Sequence, residues 1–151
     1  MMSKRIFVAI DDSPTSQKAL DEAARIAGAL GASLCIATAI DEGPLVQHGM
    51  GLGSYIDVDQ IKSEMRQAAN ALLQQAVARA AAAGCQAEQL LIEPSPRRIA
   101  EMISDAASQW QADLIVVGTH GRRGVERMLV GSVAENLVRI ATTSVMLVRE
   151  K

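Results

Sequence analysis

The stretch DLIVVGTHGRRGVERMLVGS, Asp113–Ser132, joins an apolar run, a glycine-rich segment and the head of a helix. Its first six residues, DLIVVG, are apolar after Asp113 without alternation, which is the pattern of a strand covered on both faces. Past Gly131 and Ser132, the residues Val133, Leu137 and Ile140 recur at helical spacing and are expected to face inward. Strand, loop and helix in this order belong to a parallel α/β sheet, where ligands sit at the carboxyl ends of strands. Glycines there let a backbone approach a ligand closely. The helix beginning near Ser132 offers amides and a partial positive charge to an anion, and Ser132 adds a hydroxyl. The segment therefore reads as an anion site with phosphate as the leading candidate. It is neither of the common phosphate loops. No GK[ST] is present, and the spacing is Gly118-x-x-Gly121, not G-x-G. Taken alone, these glycines would equally suit a tight turn with no ligand.

The rest of the chain repeats the alternation. Ile6–Ile10 (IFVAI) is a buried-strand run, and Ser13-Pro14 is an N-cap followed by proline at the first helical position. Leu20, Ala23, Ala24, Ala27 and Leu30 form that helix's apolar stripe, with Gly31 as its C-terminal stop. A second strand is expected over Ser33–Ile40. Asp41–Tyr55 holds four glycines and one proline in fifteen residues and reads as a long, functional loop. Helix resumes near Asp57, with Ile61, Met65, Ala68, Leu72 and Ala76 on one face, and stops at Gly84. A third strand is expected over Gln86–Glu93, then a helix capped by Ser95 and opened by Pro96, with Ile99, Met102, Ile103 and Ala106 buried. Ser144–Arg149 (SVMLVR) is the fifth strand. The order βαβαβαβαβ implies one α/β domain over 1–151, a five-stranded parallel sheet with helices on both faces.

Composition narrows the function classes. Of 151 residues, 49% are hydrophobic but only 2% aromatic, so the core must be aliphatic. The net charge of −2 offers no basic excess for a nucleic acid. No run approaches the roughly 20 apolar residues of a membrane span, and Ile6–Ile10 is too short for a signal peptide. Cys35 and Cys85 form no CxxC pair and read as buried free thiols of a reducing compartment. A cytoplasmic location is the expectation.

Gly118, Gly121, Gly131 and Ser132 match the pattern G-x2-G-x9-G-[ST]. With the surrounding DLIVVGTHGRRGVERMLVGSVAENLVR and the opening IFVAIDDSPTSQKALDEAARIA, the chain resembles the universal stress protein family along nearly its whole length. The resemblance implies a Rossmann-like sheet of order 3-2-1-4-5, whose reversal between the first and fourth strands opens a crevice flanked by Asp11 and Gly118. It implies binding of ATP, or ADP or AMP, by a stress-response or signalling module with at most slow hydrolysis. It further implies that Asp11 meets the ribose and that the Ala39 backbone meets the adenine edge. Gly118, with Val117 beside it, would contact the ribose. Gly121, Gly131, Ser132 and the Val133 amide would cradle the phosphates. Mg²⁺ or Mn²⁺ would bind through the phosphates, with no direct protein ligand. A homodimer through the last strand is implied too, with Val145, Leu147 and Val148 on its edge. Three positions depart from the family pattern: Asp12 and Pro94 where glycine is usual, and Ser144 where proline is common.

Other residues carry a sharp reading beside a plain one. Asp11 either meets ligand or helps cap the first helix with Asp12 and Ser13. Arg122, Arg123 and Arg127 either reach a terminal phosphate or face solvent. His120 and His48 read as loop histidines, Ser13 as a cap in place of a nucleophile, and Trp110 as packing. Two alternatives to the nucleotide-binding module stand: an interaction protein of the same fold with an empty pocket, and a nucleotidyl-transferring enzyme. No catalytic residue is named for either.

Overall fold

The computed structural model describes residues 4–42, 57–120 and 131–149. The elements run β1 Arg5–Ala9, α1 Pro14–Leu30, β2 Ser33–Ala39, α2 Val58–Ala82, β3 Ala87–Ile92, α3 Ile99–Gln109, β4 Leu114–Gly118, α4 Ser132–Ile140 and β5 Ser144–Val148. The strands pair in parallel in the order β3-β2-β1-β4-β5, as the resemblance implied.

The strand order determines which face each helix covers. The chain steps outward from β1 to β2 to β3, then jumps back across the sheet to β4 and β5. Right-handed crossovers therefore put α1 and α2 on one face and α3 and α4 on the other. The period of two along β1 serves both layers. Ile6, Val8 and Ile10 pack with Leu20, Ala23 and Ala27 of α1 and Leu73, Ala76 and Ala80 of α2. Phe7 and Ala9 pack with Ala100, Ile103 and Ala107 of α3 and Ala134 and Leu137 of α4. The cores are aliphatic apart from Phe7 and Trp110 at its margin.

Local chemistry explains the first helix. Ser13 caps α1, its hydroxyl accepting from the Ser16 amide, and Pro14 opens the helix. Gly31 closes it in the left-handed region at φ +64°, where a side chain would be strained.

Five expectations need correction. Leu30, at the end of the α1 stripe, is 60% exposed, and on α3 Ile99 and Ala106 are only partly buried, full burial falling on Ala100, Met102, Ile103 and Ala107. The helix after β3 begins at Ile99, not Pro96, because the Ser95 hydroxyl accepts the Arg97 amide in a local turn ahead of the helix. On α4 the inward stripe is Ala134 and Leu137, whereas Val133 and Ile140 are 37% and 43% exposed on its flanks. On α2 the stripe Ile61–Met65–Ala68 is not core. Burial begins at Leu73, because the first half of this 25-residue helix reaches past the sheet.

The amino edge of the sheet is fastened by one cluster. Arg5 lies 3.8 Å from the Trp110 ring centroid and donates from Nε to the Trp110 carbonyl. Trp110 donates from Nε1 to Glu88 at 2.9 Å and meets Phe7 at a tilted 6.3 Å. Trp110 is thus packing, as expected.

Both cysteines are buried and free. Burial pushes the Cys35 thiol up to about 12, and Glu88 pushes the same way. Burial also raises Cys85. An unfolded Cys35 ionises near 9.0, so this group leaves stability unchanged below that pH. Above it the unfolded chain holds fewer protons than the native one, and stability falls. At pH 8 the native protein should leave both thiols unmodified by a thiol reagent, while the denatured chain reacts at two; rapid modification of the native protein contradicts this burial.

Candidate functional site

Since all five strands are parallel, the residues following β1, β2 and β4 leave the sheet at one edge. Asp11, Ala39 and Gly118 therefore share that edge, and β1 and β4 are neighbours at the point where the strand order reverses. This is the crevice that open α/β sheets use for ligands.

The turn after β1 is held by side chains. The Asp11 carboxylate accepts the Ser13 amide at 2.8 Å, and the Asp11 amide donates to the Ser16 hydroxyl at 2.7 Å. Asp11 thus closes an Asx turn, while Ser13 is the cap. Thr38 donates its hydroxyl to the Ile10 carbonyl at 2.7 Å, and the Ile10 amide donates to the Ala37 carbonyl at 2.8 Å. These two bonds align the end of β2, where Ala39 lies, with the Asp11 turn.

The exit of β4 is clamped against α1. A methyl group on Gly118 would stand 2.8 Å from the Thr15 hydroxyl and 3.0 Å from the Thr15 carbonyl carbon. Only glycine lets α1 come this close. Two residues on, the His120 carbonyl accepts from the hydroxyl of Thr15 and, at 3.4 Å, from that of Ser13. Ser13, Thr15 and Ser16 are all buried. The Thr119 amide donates to Val148 at the end of β5 at 2.9 Å, and its carbonyl accepts the Gly131 amide. His120 Nδ1 lies 3.2 Å from the Thr119 hydroxyl.

Gly131 is the N-cap of α4, and the Glu135 amide makes the first helical bond to its carbonyl at 2.9 Å. Helix geometry leaves the amides of Ser132, Val133 and Ala134 without a partner inside the helix. They carry the positive end of the helix dipole. Ser132 and Val133 are exposed there. The Val117 side chain packs into the core, so only its backbone is available at the edge.

The candidate residues thus divide. Asp11, Ala39, Val117, Gly118, Gly131, Ser132 and Val133 stand at the carboxyl edge or at the head of α4. Gly121, Arg122, Arg123, Arg127 and His48 lie outside the described residues. Thr15, Ser16, Thr38 and Thr119 were missed. For Thr15 and Ser16 the visible signal was the hydroxyl run Ser13-x-Thr15-Ser16, but spacing cannot show that Thr15 meets a carbonyl 105 positions away.

Two cavities adjoin the helices. One of about 150 Å³ is lined by Asp11, Ser16, Gln17, Leu20, Leu72 and Arg79, beside the carboxyl edge. The other, about 300 Å³ between α3 and α4, is larger but shares no residue with the edge, and its Arg97 is paired with Glu101 and Asp105. Of the candidate residues, Asp11 alone lines the first cavity, and none lines the second.

Gly118→Ala should lower unfolding free energy by about 1–3 kcal/mol, because the Thr15 backbone as well as its side chain must shift. Urea unfolding tests this. A loss below a few tenths of a kcal/mol would show that the close approach is not required.

Known proteins share this architecture and sequence. The chain is 32% identical to universal stress protein A homolog 1 of Coxiella burnetii, over 98% of this chain and 97% of that protein. A universal stress protein family structure from Burkholderia pseudomallei superposes with a TM-score of 0.76 at 30% identity, covering 96% of this chain and 95% of that one. A universal stress protein solved in complex with cAMP gives 0.70 at 31% identity, covering 98% of each chain. The model of the universal stress protein family matches residues 2–149, and the chain belongs to that family.

Proposed function

We propose that this protein binds an adenine nucleotide, ATP in the first place and ADP or AMP as alternatives, and serves as a stress-response or signalling module. One observation carries the reading. The Asp11 turn, Gly118 and the amide-bearing head of α4 share the carboxyl end of the sheet beside the strand reversal. The cAMP complex of a family member 31% identical to this chain supports it, since adenine, ribose and phosphate are common to both ligands.

The roles are those that the family resemblance implies, carried over residue by residue. Asp11 bonds the ribose, and the Ala39 backbone meets the adenine edge. Gly118 and the Val117 backbone lie along the sugar. Gly131, Ser132 and the Val133 amide hold phosphate at the helix head, where dipole and amides act together. Gly121 belongs to the same cradle, and Arg122, Arg123 and Arg127 are assigned to the terminal phosphate. A Mg²⁺ or Mn²⁺ ion joins through the phosphates. No residue is assigned as general base, so any hydrolysis is slow on this reading. Two buried free thiols suit a reducing compartment, and the module is placed in the cytosol. β5 is an edge strand whose Val145, Leu147 and Val148 remain partly exposed, so it is proposed as the seam of a homodimer.

Gly131→Asp tests the site. The backbone there, φ −71° and ψ 164°, admits any residue, and aspartate is a good N-cap, so the fold should persist. Its carboxylate would stand among the phosphate-binding amides. Calorimetry with Mg-ATP should show binding by the native protein and none by the variant. Equal affinity would refute the site. Light scattering on the same native sample should give a dimer mass; a monomer at micromolar concentration would refute the seam.

A further inference from the structure

Thr15 takes part in neither the sheet nor any ligand contact assigned above, yet it is 3% exposed and touches two parts of the edge at once. Its hydroxyl donates to the His120 carbonyl, and its backbone and side chain fill the space a Gly118 side chain would need. The carbonyl before His120, that of Thr119, accepts the Gly131 amide, so the residues flanking the glycine-rich segment are tied to each other. Thr119 is fastened in turn to Val148. Thr15 is therefore the point at which the first turn of α1, which shapes the Asp11 turn through Ser13 and Ser16, grips the exit of β4 and, through Thr119, the head of α4.

We propose that Thr15 is a positioning residue of the nucleotide site. It fixes the spacing between the Asp11 turn, assigned to the ribose, and the α4 amides, assigned to phosphate. This rests on the binding reading above, and acts through His120 and Gly118 without touching ligand. A side chain here must fit a buried space against Gly118 and must carry a hydroxyl to hold the carbonyl. Threonine and serine meet both needs. Valine meets only the first.

The test compares Thr15→Val with Thr15→Ser in the full chain. Amide hydrogen exchange is read by NMR without nucleotide, and Mg-ATP affinity by calorimetry. In Thr15→Val the amides of Thr119 and Gly131 should exchange about tenfold faster, and ATP affinity should fall about tenfold, as expected for one buried hydrogen bond. Exchange in the shared core, at Val8, Ala23 and Leu73, should stay as in the native protein. Thr15→Ser should restore both readings to within about threefold. The proposal is overturned if valine behaves as threonine does, if serine fails as valine does, or if core exchange rises in step with the edge, which would mark Thr15 as a packing residue alone. Should the native protein bind no nucleotide, the binding reading fails and with it the assigned purpose of Thr15, while the exchange comparison still decides whether Thr15 holds the edge.

Discussion

The contact between Thr15 and the bare α-carbon of Gly118 brings α1 and β4 together at the carboxyl edge. A single methyl group would intrude to 2.8–3.0 Å on threonine atoms, backbone carbon included. Because it is absent, the first turn of α1 closes over the exit of β4 and bonds the His120 carbonyl. The Asp11 turn and the head of α4 are then drawn to the same place by two short hydrogen-bond paths. The strand reversal sets the place, and this contact sets how close α1 stands to β4 there.

Among the described residues, much of the polarity at that edge comes from the backbone. The polar elements pointing there are amides at the start of α4, the carboxylate of Asp11 and hydroxyls. Such a set can receive an anion by shape and dipole. Among the described residues, charged groups brace both ends of the sheet. Arg5, Trp110 and Glu88 brace the opposite edge, and Arg79 and Asp21 join α1 to α2 through paired hydrogen bonds.

Much of this was legible in the sequence. Apolar runs without alternation marked β1 and β4 as strands covered on both faces, and Ser13-Pro14 and Gly31 marked the limits of α1. The strand order came from the family resemblance, since periodicity cannot order parallel strands. The errors share a cause, which is that spacing gives a helix a stripe but not a partner. The stripe on α2 continues where there is no sheet beneath it, and α4 is rotated so that Ala134, not Val133, lies inward. Ser95 could cap a helix or close a turn, and the turn prevailed. Thr15 was unreadable because its partners lie more than a hundred residues away.

The most direct test of the account is a titration of isotope-labelled protein with Mg-ATP, followed by backbone amide shifts. The account predicts saturable changes at Asp11, Ala39, Gly118, Ser132 and Val133, with the groove between α3 and α4 unmoved. Changes centred on Arg97, Arg98 and Asn136 instead, or no saturable change anywhere, would contradict it.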